Sequence, residues 1–112
     1  MAFATSNKSK LHSRLAPTFY AFEGGTRFGR EELIALVATQ IANGKIYKWN
    51  VTQPDVQMSC RLATIAYVNV GAVGDAAGVK PVTWLESATL RFEGDRWEII
   101  FLNSTRAPGN PG

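Results

Sequence analysis

Between Arg30 and Asn43 the apolar residues Leu33, Val37 and Ile41 recur at every fourth position, and Ile34 and Leu36 widen the stripe. A helix with 3.6 residues per turn gathers such positions on one side. The spacing therefore predicts a helix that covers a sheet and shows its other side to water. Glu31 and Glu32 fall in its first turn, where carboxylates suit the positive end of the helix dipole. Gly29 serves as N-cap, and Gly44 is a left-handed stop after Asn43.

The rest of the chain reads as β. Phe19 to Glu23 is a short aromatic strand stopped by Gly24 and Gly25. Lys45 to Gln53 and Asp55 to Ser59 form a strand interrupted at Pro54, which marks a bulge or an edge. Leu62 to Val70, Val82 to Phe92 and Trp97 to Thr105 follow. Glu93-Gly94-Asp95 is a tight turn between the last two. Gly71 to Pro81, with three glycines and few apolar anchors, reads as a mobile hairpin loop. Residues 1–16 predict a short helix or a disordered segment: Leu11 and Leu15 are spaced by one turn, Ser6 is a cap and Pro17 the end. The sequence thus divides into that segment, one α+β domain over 17–106, and a disordered tail over 107–112.

Two strands are apolar on both sides. In Trp97 to Thr105, alternation puts Trp97, Ile99 and Phe101 on one face and Ile100 and Leu102 on the other. In Leu62 to Val70, Ile65 and Tyr67 oppose Leu62, Ala66, Val68 and Val70. One helix covers one face of an antiparallel sheet, so a second apolar face implies a cover, and a second copy of the chain is the economical one. Val68, Ile100 and Leu102 are the predicted interface residues of a dimer or larger homo-oligomer.

Composition narrows the function classes. The 112 residues allow one domain and one core, and 46% apolar with 19% charged residues describe an ordinary globular chain. A net charge of +3, without clustered basic residues beside exposed aromatics, does not point to nucleic acid; the only basic run is Lys8, Lys10 and Arg14. No stretch approaches the roughly 20 apolar residues of a membrane span, and the first ten residues lack an apolar signal core. The expectation is a cytoplasmic protein with no membrane partner. The single cysteine, Cys60, in a turn with Ser59 and Arg61, excludes an internal disulfide and a multi-cysteine metal site. No metal and no cofactor are implied.

The run Gly94-Asp95-Arg96-Trp97-Glu98-Ile99-Ile100-Phe101-Leu102-Asn103-Ser104-Thr105 resembles the closing strand of the nuclear-transport-factor-2-like (NTF2-like) superfamily, SnoaL-like domains included. Pro17 to Glu23, Gln53-Pro54-Asp55-Val56, Ile65 to Val68 and Arg106-Ala107-Pro108 resemble the association domain of calcium/calmodulin-dependent protein kinase II. Gly29 to Ile34 is similar to the start of the main helix in SnoaL-like proteins. The resemblance spans about residues 17–108. It implies a cone-shaped α+β fold, a curved antiparallel sheet wrapped on one main helix, with a pocket on the concave side and frequent dimerisation through the sheet. Members include acid–base enzymes and non-enzymatic association modules, so fold does not select function. Two departures matter. The long first helix of the family has only 16 residues here in which to form, leaving the concave face more open or covered by a partner's segment. The association domain's pocket arginines match Asn69 and Leu90, and its closing-strand histidine matches Asn103.

With a family-like pocket, strand alternation supplies its lining: Tyr67, Asn69, Trp84, Glu86, Phe101 and Asn103. Glu86 is the candidate catalytic residue, a carboxylate on an otherwise apolar strand face. Burial raises such a pKa and makes a general acid or base, with Tyr67 or Asn103 donating to an enolate oxygen. The bland reading is a solvated Glu86 near a sheet end, paired with Arg91 or Arg96. Asp55 belongs to an exposed bulge, His12 to the polar N-terminal segment, and Asp75, Glu93 and Asp95 to turns. Gly74 to Lys80 lacks the spacing of a phosphate loop. Three readings follow: a self-associating domain with a pocket for a small, largely apolar ligand; an isomerase-, dehydratase- or cyclase-type acid–base enzyme; and a purely structural association module.

Overall fold

The computed structural model describes residues 12–108. The helix predicted over 1–16 and the tail predicted over 107–112 lie largely outside them. Residues 12–14 are helical, but Leu15 and Ala16 already belong to a strand and are buried.

Seven strands and one complete helix follow among the described residues. They are β1 (Leu15–Glu23), β2 (Thr26–Gly29), α1 (Arg30–Ala42), β3 (Ile46–Lys48), β4 (Val51–Ser59), β5 (Leu62–Asp75), β6 (Gly78–Glu93) and β7 (Arg96–Arg106). They make one sheet in the order β2-β1-β7-β6-β5-β3, with β4 also paired to β5. All pairs are antiparallel except β1 with β7, which runs parallel. The fold is α+β, a curved, unclosed sheet with few helices.

The helix forms where its stripe requires. The Gly29 N–H donates to Glu32 Oε1 at 2.9 Å, satisfying an end group that has no partner within the helix. Gly44, at φ +88°, turns the chain out of it. Leu33 and Ile34 are buried against Leu15, Phe19 and Ala21 of β1, Ala88 of β6 and Leu102 of β7; Val37 packs at the margin of this core. The helix therefore covers one face of the sheet, the concave one.

The predicted mobile loop over Gly71 to Pro81 is instead strand. β5 and β6 stay paired from Leu62 opposite Arg91 to Asp75 opposite Gly78, with only Ala76 and Ala77 in the turn. The Ala77 N–H donates to Asp75 Oδ1 at 2.9 Å and closes it. The glycines that suggested mobility serve close approach. A Cβ on Gly71 would collide with the Lys48 carbonyl oxygen of β3, and one on Gly74 with the Gly78 carbonyl oxygen. At Pro54 the predicted interruption is present: register shifts between Thr52 and Asp55, and Gln53 takes φ +52°.

A second bulge decides the faces of β7. Leu90 lies opposite Ile99 and Thr89 opposite Phe101, so Ile100 is an extra residue with no partner on β6. Strand alternation has a period of two, and one extra residue moves everything beyond it to the other face. Ile99 faces the core. Past Ile100, Leu102 and Ser104 do, at 3% and 6% exposure, while Phe101 and Asn103 point away. Leu102, read from alternation as an interface residue, is a core residue. Ile100 sits in the bulge, half-buried, and Val68 lies on the outer face opposite Leu85.

That outer face is apolar, as the two-face pattern predicts. Tyr20, Phe22 and Phe101 cluster with ring centroids 4.9–5.9 Å apart, and Phe22, Leu62, Val70 and Leu85 are 46–48% exposed. The concave face is bare at one end, where Val56 and Met58 lie opposite Ile65 and Ala63.

Candidate functional site

Inside the curve, between α1 and the sheet, lies a cavity of about 110 Å³. Leu33, Leu36, Val37 and Gln40 of α1 form one wall. Tyr47 of β3 and Trp49 after it form another, their rings stacked 5.5 Å apart. The floor is Asn69, Trp84, Glu86, Leu102 and Ser104, with Glu23 at the rim. Four strands contribute to this floor and rim because opposite residues in paired strands share a face. Asn69 pairs with Trp84, Tyr67 with Glu86, Glu86 with Ser104, and Ser104 with Glu23.

The polar end is a connected network. The Asn50 backbone N–H donates to Asn69 Oδ1 at 2.9 Å, and Asn69 Nδ2 donates to Glu86 Oε1 at 3.2 Å. Asn69 is thereby held in one orientation while 3% exposed. The Tyr67 hydroxyl also donates to Glu86. Burial, then the Glu86 charge and that hydrogen bond, push the hydroxyl pKa far above the usual tyrosine range. Ser104 Oγ is buried with no partner among the described residues.

Glu23 enters this site unannounced. As a residue it is exposed, yet desolvation of its carboxyl raises its pKa above the usual glutamate value. The negative charge of Glu86 adds to the rise, and Arg106 opposes it. Arg106 lines the adjoining opening together with Glu23, Gly24, Tyr47, Trp84 and Ser104. Burial raises the hydroxyl pKa of Tyr47 as well, with Glu23 adding to the rise and Arg106 again opposing.

Of the predicted lining, Asn69, Trp84 and Glu86 meet in the cavity, and Tyr67 sits beneath them through its bond to Glu86. Phe101 and Asn103 do not join them, because the Ile100 bulge turns both to the outer face. Glu86 is mid-strand and half-buried rather than near a sheet end. The arginines offered as its partners pair elsewhere, Arg91 with Glu93 at 3.3 Å and Arg96 with Glu98 at 3.2 Å. His12 lies 3.1 Å from Glu31 on an exposed surface. Asp55 is exposed beside its bulge. Among the described residues no group of three or more His, Cys, Asp or Glu could hold a metal, and no helix is long and apolar enough to cross a membrane.

Glu23 was within reach of the sequence. Phe19, Ala21 and Glu23 alternate with Tyr20 and Phe22, which assigns the carboxylate to the buried side of β1. Ser104 was not, because its side depends on the bulge.

Solved structures share this arrangement nearly end to end. An NTF2-like protein from Cytophaga hutchinsonii superposes with a TM-score of 0.80 at 10% identity, over 95% of this chain and 87% of that one. The fold is NTF2-like. A cystatin-like-fold protein from Caulobacter vibrioides gives 0.77 at 10% identity, over 96% and 81%. The association domain of the C. elegans calcium/calmodulin-dependent protein kinase II gives 0.75 at 17%, over 93% and 84%. No family profile and no curated protein matches the sequence. The likeness is one of fold, and the cavity is lined by this chain's own residues.

Proposed function

We propose that the chain is a self-associating NTF2-like domain that binds a small, largely apolar ligand in its concave cavity. The carrying observation is the cavity's composition. Trp84, Leu102 and the α1 side chains supply an apolar body, and at its floor the Ser104 hydroxyl is buried with no partner among the described residues. A buried hydroxyl without a partner costs about 1–3 kcal/mol, and a ligand's polar end would offset that. Self-association is supported by the outer face, which carries the Tyr20, Phe22 and Phe101 ring cluster and exposed Leu85, and by neighbours of the same fold that are named as association domains.

Sedimentation velocity at micromolar concentration tests the association. The wild-type chain is expected to run as a dimer or larger species, and Phe22→Asp, which puts a charge into the aromatic cluster, shifts it toward monomer. A monomeric wild type removes the self-association.

A second reading draws on Glu23 and Glu86 converging at one cavity, since two carboxyls in different surroundings can divide acid and base roles. Glu86 would take a proton from a carbon beside a carbonyl, and Ser104 Oγ–H would donate to the enolate oxygen, the place given to Asn103 by alternation. Incubation with cyclohexanone and related small ketones in D2O checks it. Faster deuterium uptake than in buffer, lost in Glu86→Gln, is the expected result; uptake at the buffer rate removes the enzyme.

A further inference from the structure

Among the described residues, the lining of the concave cavity carries two carboxylates, Glu23 and Glu86, and no lysine, arginine or histidine. Its other hydrogen-bonding groups include the Gln40 amide and the Tyr47 hydroxyl, and those on its floor are largely committed. Asn69 Oδ1 accepts from Asn50, and Glu86 accepts from Asn69 and Tyr67. A carboxylate has about four lone-pair sites, so Glu86 keeps acceptor capacity and Glu23 adds more. Ser104 Oγ, in a residue 6% exposed, faces the same space without a partner among the described residues. The Arg106 cation lines the adjoining opening rather than the cavity.

The walls favour the same kind of ligand. Tyr47 and Trp49 present a stacked pair on one side, and Trp84 is buried on another. Aromatic faces are electron-rich, and a cation near them gains roughly 0.5–2 kcal/mol according to its desolvation. The volume, about 110 Å³, is smaller than the roughly 150 Å³ of a cavity that takes one aromatic ring, which limits the ligand to a single small ring with its polar end at the rim.

We infer that this cavity selects a small organic amine in its ammonium form, with the nitrogen between Glu23, Glu86 and Ser104 and a ring-sized apolar body against Trp84, Leu102 and Leu33. This rests on the pocket reading above and gives its ligand a charge. An anion of the same size meets both carboxylates, with Arg106 offsetting only the Glu23 charge from the adjoining opening. A neutral alcohol satisfies Ser104 but forgoes the charge-assisted bonds, which are about twice as strong as neutral ones.

Benzylammonium, benzyl alcohol and benzoate share one ring and differ at the polar atom. Titrated separately into the full chain at pH 7 and followed by amide and indole NMR shifts, benzylammonium is expected to bind at least about tenfold more tightly than benzyl alcohol. Benzoate should produce no shifts at Trp84, Asn69 or Ser104. In the Glu23→Gln/Glu86→Gln double variant the preference for the ammonium should disappear while benzyl alcohol still binds. If benzyl alcohol and benzylammonium shift those residues with equal affinity, the amine inference is overturned and the pocket stands. If none of the three shifts them, both fall. The wild-type ranking decides the matter even if the double variant does not fold.

Discussion

Leu102→Ala is expected to lower the free energy of unfolding by about 3 kcal/mol, as buried leucine truncations typically do. Leu102 is 3% exposed and touches both the core under α1 and the floor of the cavity. Removing its three terminal carbons leaves a void that the surrounding strands fill only partly. The matching control is Val70→Ala, on the outer face at 48% exposure, where the expected change is within about 0.5 kcal/mol. Urea unfolding of the two variants measures the difference directly. Equal losses would mean that β7 has no bulge at Ile100 and that Leu102 faces outward.

Gly71→Ala should be comparably costly, about 2–3 kcal/mol, for the opposite reason. Here an atom is added where none fits. The new Cβ meets the Lys48 carbonyl oxygen and lies 3.0 Å from Trp84 Cζ3. Backbone on one side and a buried indole on the other leave little room to yield, so β3 must move away from β5. Tyr47 and Trp49 move with it, and the cavity loses a wall. Thermal unfolding should show the stability loss, and tryptophan fluorescence an altered environment. A Gly71→Ala variant as stable as wild type, with unchanged emission, would mean that β3 does not lie against Gly71.

These positions also mark how much of the protein was legible beforehand. The helix could be read from Leu33, Val37 and Ile41 because its period is written locally. The outer apolar face could be read from Leu62, Val68 and Val70 for the same reason. What escaped reading depends on partners distant in sequence. Gly71 and Gly74 look like loop glycines until Lys48 and Gly78 are brought against them. Phe101 and Asn103 take the wrong side because a bulge leaves no signature in the alternation of an all-apolar strand: Ile99, Ile100, Phe101 and Leu102 suit either face equally well. Glu86, Asn69 and Trp84 share one face because β5 and β6 are regular where they pair. Glu23 supplies the second carboxylate, one that the sequence could place on a face but not beside Glu86.

The parallel pairing of β1 with β7 has a consequence for how the molecule is made. Leu15, Phe19 and Ala21 are synthesised well before the strand that receives them, Arg96–Arg106. Until then β1 has its hairpin partner β2 and the helix, but no place in the sheet. Contacts so far apart along the chain form late and slowly. During synthesis the rim that holds Glu23 therefore waits on residues more than seventy positions downstream, and the growing chain carries an apolar strand with one edge unpaired.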